Sequence, residues 1–293
     1  MPSLENFVRS RLAHLRVNLN FLRSRDVKGK GAIIWAYLRL SLLARVSPHR
    51  TKPVEILGFR VAYGSMFYLK NLFRDIFIER PYVYDTDKES PIIIDAGANI
   101  GLTALYYKYN YPAARITCFE PDPQTYQLLK QNVEGNDLSD VVLYNQALSN
   151  QNGTVTFYSE QGGAGGNPGS SISPELYQES SKDWKAGESG EEGSGRTEVP
   201  ARRLSEQLEG AVDLLKIDIE GSEGLVIEDL KDCLGQIAEI QMEFHYVQGI
   251  NQLGKMLTMF EDAHHSYRLI PPHYQVENKN GSLAFIYTRR TAP

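Results

Sequence analysis

The segment that most limits the folds open to this chain is Pro91-Ile-Ile-Ile-Asp95-Ala-Gly97-Ala-Asn99-Ile-Gly101-Leu-Thr103. The β-branched run Ile92 to Ile94 predicts a short buried strand. Asp95 ends it, two glycines follow four positions apart, and Leu102-Thr-Ala-Leu-Tyr-Tyr continues as a helix. A strand, a tight glycine turn and a helix N-terminus together present backbone N–H groups to a nucleotide-like ligand. Gly97 lets the chain turn without a Cβ clash, and Gly101 lets helix and strand pack closely. Asn99 is one of the few residues besides glycine that tolerates a left-handed backbone.

The spacing separates the ligands such a turn can serve. A dinucleotide site asks for G-x-G-x-x-G, and Asn99 stands where the middle glycine would be. A phosphate-binding P-loop asks for G-K-[ST], which is absent here. The pattern D-x-G-x-N-x-G instead resembles motif I of the class I methyltransferases that use S-adenosylmethionine. There the acidic residue sits near the methionine part of the ligand. The competing reading is a plain strand-to-helix turn with no ligand.

From residue 91 onward strands and helices alternate, which predicts a parallel, doubly wound sheet. The second strand, Arg115–Phe119, runs into Glu120-Pro121-Asp122. An acid at that strand end, ~20 residues after the glycine turn, suits hydrogen bonds to both ribose hydroxyls of an adenosine. As an alternative, Glu120 is only a favourable charge before the helix that Pro121-Asp-Pro opens. The third strand is Val141–Tyr144, followed by Asn145-Gln-Ala147-Leu-Ser149, and an extra strand Thr154–Tyr158 follows the Asn152-Gly153 turn. Residues 161–198 form a polar, glycine- and serine-rich insertion, with Gly162–Ser171 expected as a mobile lid and 185–197 as plain disorder.

The fourth strand begins at Asp213 and runs toward Glu223. Strand alternation would put Lys216, Asp218 and Glu220 on one side. Charges at the end of a central strand are costly unless used or paired, and an ion pair without chemistry is the competing reading. The fifth strand, Ala238–His245, ends in Glu243 and His245. Ligand sites in such sheets lie at the carboxyl ends of the strands, where these groups converge. A helix at Gly249–His265 precedes Tyr267–Ile270 and Leu283–Tyr287, two strands joined through Asn280-Gly281 and expected as an antiparallel closing pair.

Ahead of the sheet, Leu4 to Leu22 has apolar residues at near-helical spacing with arginines between. A second helix, Ala32–Val46, stops before Pro48. A hairpin turning at Gly58 and a helix from Phe67 to Phe77 lead into the catalytic unit. Residues 1–52 carry eleven Lys and Arg against two acids, a net +9, which leaves −14 for the remainder of a chain with formal charge −5. An acidic body argues against nucleic acid as a partner, and the basic arm allows contact with an anionic surface. The alternative is that both helices pack on the catalytic domain or on a second copy of it, a homodimer. With 293 residues, 42% hydrophobic, the chain is long enough for one α/β domain plus an appendage. Cys118 and Cys233 form no C-x-x-C pair and read as inert thiols of a reducing compartment. No stretch reaches the ~20 apolar residues of a membrane span. The arginines within residues 1–20 also break the apolar core that a signal peptide needs. The expected location is the cytoplasm, with peripheral contact at the inner face of the membrane.

With these residues in place, residues 54–290 resemble the FkbM-type methyltransferase family. The resemblance rests on IIIDAGANIGL, FEPDP, LYNQALS, the glycine-serine segment, LLKIDIEGSE and EFH, in that order. It implies a Rossmann-like class I α/β fold, a mostly parallel seven-stranded sheet with an antiparallel closing strand, which assigns residues 53–293 to the methyltransferase domain; the basic helical arm at 1–52 and most of 175–197 lie outside the resemblance. It also implies S-adenosylmethionine as methyl donor and O-methylation of a hydroxyl on a sugar, glycan or glycosylated natural product. By matching motif, Asp95, Gly97, Asn99, Gly101, Glu120, Pro121 and Asp218 line the cofactor site, with Asn145 and Ala147 beside the adenine.

A sugar hydroxyl is a weak nucleophile until it loses its proton, so a base or a metal is expected. His245, with Asp218 and Glu243, is the candidate base. The alternatives are that these three hold a divalent metal, or that His245 only hydrogen-bonds Asp218 or the lid. The rival functions are a nicotinamide-dependent sugar oxidoreductase, disfavoured by Asn99, and a non-catalytic nucleotide-binding module, disfavoured by the charged strand ends.

Overall fold

The structure, a computed structural model, describes residues 21–22, 27–49, 51–160, 170–172, 194–246, 252–270 and 283–291. Most of the expected helix at 4–24, of which residues 21–22 are described and helical, most of the lid at 162–171, the stretch 173–193 and the turn at Asn280-Gly281 lie outside the described residues.

Helix α1 (Lys30–Val46) leads to the hairpin β1 (Val54–Ile56) and β2 (Phe59–Val61), which turns through Leu57 and Gly58 at φ 52 and 89. Helix α2 (Met66–Phe73) follows, capped by the Ser65 hydroxyl on the Tyr68 N–H, and passes without a break into a π-helical turn, Arg74–Glu79. The alternating core is β3 (Ile92–Ala96), α3 (Leu102–Asn110), β4 (Arg115–Phe119), α4 (Pro123–Glu134) and β5 (Val141–Tyr144). Next come β6 (Ala147–Ser149), β7 (Gly153–Glu160) and β8 (Ser194–Arg203). The chain then returns to the main sheet through β9 (Val212–Ile217), α5 (Glu223–Leu230), β10 (Ile237–His245), α6 (Leu253–Asp262), β11 (His265–Ile270) and β12 (Leu283–Arg290).

The seven-stranded sheet runs in the order β11-β12-β10-β9-β3-β4-β5. Pairings from β5 across to β10 are all parallel, while β12 is antiparallel to both β10 and β11. This is the class I methyltransferase architecture: the order reverses between β3 and β9, the switch point where such sheets open a crevice. Apolar clusters cover both faces. One joins α1, α2, α3 and α4 to the sheet through Leu40, Phe73, Phe77, Tyr107 and Leu129, and the other joins α5 and α6 through Ile227, Leu230 and Phe260.

Two expectations need correction. Residues 194–197, expected as disorder, are strand, paired antiparallel to β7 from Thr197↔Phe157 to Ser194↔Glu160. Together with β6 they build a second, three-stranded sheet. Ladder hydrogen bonds to β7 offset the weak strand propensity of this glycine- and serine-rich stretch. Second, β9 stops at Ile217, so strand alternation does not carry Asp218 and Glu220. They sit in the turn after it, where Glu220 has φ 52 and Gly221 φ 100.

Candidate active site

The first half of the site is the turn after β3. Gly97, Asn99 and Gly101 have φ of 79, 51 and 85, all in the left-handed region. A Cβ on Gly97 would lie 1.8 Å from the Asp218 carbonyl oxygen, and one on Gly101 would lie 2.7 Å from Leu129 Cδ1. The close approach of β3, β9 and α4 therefore requires both glycines. Asn99 bridges three partners. Its N–H donates to Glu120 Oε2 at 2.9 Å, its Oδ1 accepts from Ile100 N at 2.7 Å, and its amide donates to the Tyr68 hydroxyl at 3.1 Å.

Glu120, at the end of β4, accepts from Asp122 N through its other oxygen at 2.9 Å. Burial pushes its carboxyl up to about 8, against the pull of those two N–H donors. Each oxygen keeps a further lone pair, the arrangement that two ribose hydroxyls require. Behind it, the Asn145 amide donates to the carbonyls of Glu120 and Pro121 at 2.8 and 3.0 Å and fixes the backbone there. Ala147 lies buried in β6, opposite Ala201.

Asp95, near the end of β3, has no solvent exposure. Its Oδ1 is 3.1 Å from Lys216 Nζ. Burial pushes the Asp95 carboxyl up and the Lys216 charge opposes that. Burial alone would lower the Lys216 amine, but Asp95 and then Asp218 outweigh it and hold it above its ordinary range. The ammonium donates to the Gly97 carbonyl at 2.7 Å, so the buried ion pair clamps the turn from below.

The second half lies across β9 and β10. The Tyr82 hydroxyl donates to Asp218 Oδ2 at 3.0 Å and stands 3.2 Å from Glu243 Oε2. Burial, then the two carboxylates, pushes the phenol well above its usual value, so Tyr82 remains a donor. Burial and the neighbouring Asp218 charge push Glu243 up to about 8. His245 Nδ1 is 2.9 Å from Glu223 Oε1, and its Nε2 is 3.4 Å from Glu220 Oε2 and 3.9 Å from Glu243 Oε1. Burial works against the imidazolium, but Glu220, Glu223 and Glu243 outweigh it and raise His245 well above the ordinary histidine range. These carboxylates favour the protonated ring, which weakens it as a free base. The Ser171 hydroxyl donates to the Glu220 carbonyl and ties the described end of the insertion to this turn.

The structure thus brings Gly97, Asn99, Gly101 and Glu120 into one half of the site, and Asp218, Glu243 and His245 into the other. Sequence reasoning named Glu220 only as one of the strand-end charges and gave no role to Tyr68, Tyr82 and Glu223. Glu220 and Glu223 sit inside the LLKIDIEGSE segment, where two extra acids beside Asp218 were the available signal. Tyr82 reaches Asp218 across 136 residues and carries no local signal. Asp218, Glu220 and His245 have ligand atoms within 4.8 Å of one another, so Glu220 rather than Glu243 completes the one such group among the described residues.

Residues 95–269 match the family profile described as the methyltransferase FkbM domain. Relatives include methyltransferase sdnD of Sordaria araneosa, 33% identical over 183 residues, covering 55% of this chain and 68% of that protein. The 2-O-methyltransferase NoeI of Sinorhizobium fredii is 28% identical over 175 residues, covering 57% of this chain and 68% of that protein. The 31-O-demethyl-FK506 methyltransferase FkbM of Streptomyces tacrolimicus is 27% identical over 221 residues, covering 69% of this chain and 84% of that protein.

Proposed function

This chain belongs to the methyltransferase FkbM family, and on that footing we propose that it moves the methyl group of S-adenosylmethionine to a hydroxyl of a sugar, glycan or glycosylated natural product. The observation that carries this reading is the junction of the two half-sites at Gly97 and Asp218. The glycine turn, with Glu120 beyond it, packs directly on the backbone from which the acid–histidine cluster projects. A cofactor held on one side meets an acceptor held on the other. O-methylation draws further support from the relatives named as O-methyltransferases.

The bound cofactor supplies the electrophilic methyl, so the protein's task is alignment and proton management. Gly97 takes the left-handed turn that lets the Asp218 carbonyl pack against it, and Glu120 accepts from the ribose hydroxyls. His245, held as a cation, balances the charge of Glu220, Glu223 and Glu243. The acceptor's proton then passes to a carboxylate. Glu243, pushed up to about 8 by burial and the Asp218 charge, has its proton affinity raised toward that task.

A second reading draws on the convergence of Asp218, Glu220 and His245. Two carboxylates and one imidazole suit a divalent ion such as Mn²⁺ better than Mg²⁺. Glu223 on Nδ1 orients the ring as a metal-bound histidine is usually oriented. Such an ion, when bound, would acidify the acceptor hydroxyl.

The test is a screen of glycosylated and sugar acceptors with isotopically labelled S-adenosylmethionine, read by product mass. A labelled methyl ether on a sugar hydroxyl supports the proposal. Transfer only to nitrogen, or only to acceptors that lack sugars, overturns the acceptor assignment. Calorimetry that finds NAD binding and no response to S-adenosylmethionine overturns the reading as a whole.

A further inference from the structure

Helix α1 is apolar on two opposite sides. Ile33, Ala36 and Leu40 are buried in the core that α1 shares with α2. On the reverse side, at helical spacing, Trp35, Leu38, Leu42 and Val46 are 69%, 55%, 59% and 64% exposed. With Leu22 and Phe67 they make six of the eleven large apolar residues that stand exposed among the described residues. Exposed apolar residues scattered singly are ordinary, but a stripe of this kind marks an interaction surface.

The charge around the stripe identifies the partner. Helix α1 contains no Asp or Glu, and at 3.6 residues per turn Arg39 and Arg45 fall on the stripe's two flanks. Arg39 donates to the Glu55 backbone carbonyl at 3.0 Å. On the neighbouring helix, the Lys70 ammonium lies 4.7 Å over the Phe67 ring. Burial, then repulsion from Arg74 and Arg45, lowers the Lys70 amine against the attraction of Asp75. Cations crowd this edge of a molecule whose remainder is acidic.

We propose that this face docks on an anionic lipid surface, with Trp35, Leu38, Leu42 and Val46 in the headgroup–acyl boundary and Arg39, Arg45 and Lys70 on the phosphates. A second copy of the chain fits less well. A two-fold contact sets the patch on itself, and a helix with arginines and no acids then meets like charge. The docked face also adjoins the cofactor turn, because Phe67 at its edge is followed by Tyr68, which holds Asn99.

The test uses the full chain with Trp184→Phe, which leaves Trp35 as the one tryptophan. Vesicles of phosphatidylglycerol and phosphatidylcholine are compared with phosphatidylcholine alone. The expected result is co-sedimentation with the anionic vesicles, weakened by salt, with a blue shift of Trp35 emission. Leu38→Ser with Leu42→Ser, and separately Arg45→Glu with Lys70→Glu, should each weaken binding at least about tenfold while far-ultraviolet circular dichroism stays unchanged. The proposal is overturned by any of four outcomes: no preference for anionic vesicles, variants that bind like the parent, Trp35 emission already blue and unresponsive because residues 1–20 cover the stripe, or a vesicle-free dimer that the serine variants disperse.

Discussion

Nδ1 of His245 stands 2.9 Å from Oε1 of Glu223, a carboxylate with no solvent exposure. Glu223 opens α5 and also accepts from Gly221 N at 3.0 Å, so it is fixed before the histidine meets it. The ring is thereby oriented with Nε2 toward Glu220 and Glu243. Glu223→Ala should leave the ring free to rotate and lower kcat by about 10²-fold. Glu223→Gln keeps an acceptor oxygen and should recover most of that loss. Steady-state kinetics of both variants, with cofactor affinity measured alongside, check the point. Equal losses in the two would show that the carboxylate charge matters rather than orientation.

His245 supplies the cation among Glu220, Glu223 and Glu243. His245→Ala should lower kcat by ~10²–10⁴-fold with cofactor affinity nearly unchanged, because the glycine turn and Glu120 do not touch it. Single-turnover rates at saturating cofactor read this directly. If a chelator abolishes the parent's activity and Mn²⁺ restores it, the histidine's role is that of a metal ligand.

Glu120 makes the fold and the cofactor respond oppositely to pH. Its native carboxyl lies at about 8, above the ordinary value of 4.5, so between those values the folded state holds a proton that the unfolded state has lost. Stability from this group is full below 4.5 and is lost as pH rises through 8. Ribose hydroxyls prefer the ionised acceptor, so cofactor affinity should rise over the same window. Between pH 6.5 and 9, the ligand-free Tm should fall less steeply in Glu120→Gln than in the parent, and the Tm gain from S-adenosylmethionine should grow in the parent alone. Glu120→Ala should weaken cofactor binding by ~1–3 kcal/mol at any pH in that range.

Gly97→Ala should be among the most damaging conservative changes. The residue has φ 79, and a Cβ there meets the Asp218 carbonyl at 1.8 Å. Relief requires β3 and the turn after β9 to separate, which pulls the two half-sites apart. A stability loss of about 1–3 kcal/mol, together with lost cofactor binding by calorimetry, is expected. An alanine variant that binds normally would mean that the turn has slack which the packing does not show.

The strand–turn–helix at β3 was legible because its information is local: a β-branched run, two glycines and a helical continuation fall within thirteen residues. The strand ends at Glu120, Glu243 and His245 were legible for the same reason. Asp95 was legible as the end of β3, but its ion pair with Lys216 was not, since only tertiary packing sets the two against each other and buries both. The acids after β9 were expected from period-two alternation. They converge instead because the strand stops at Ile217 and Glu220 turns left-handed, a conformation that a sequence seldom announces outside glycine and asparagine. The strand at 194–203 was hidden because it begins at the end of a glycine- and serine-rich insertion and its partner β7 lies before that insertion. The π-helical turn after α2 was read as ordinary helix, since both conformations draw on the same residues.

The clamp beneath the turn has a consequence for how the chain is made. Lys216 follows Gly97 by 119 residues, and β9 is the strand that covers the open side of β3. At translation rates of 5–20 residues per second, the Asp95 carboxylate and one edge of the central strand wait on the order of ten seconds on the ribosome for their partners. Throughout that interval the nascent chain displays an apolar strand of three isoleucines with one edge unpaired. Folding of the catalytic core is therefore late in synthesis, and a messenger truncated before the codon for Lys216 yields a chain that cannot close its own sheet.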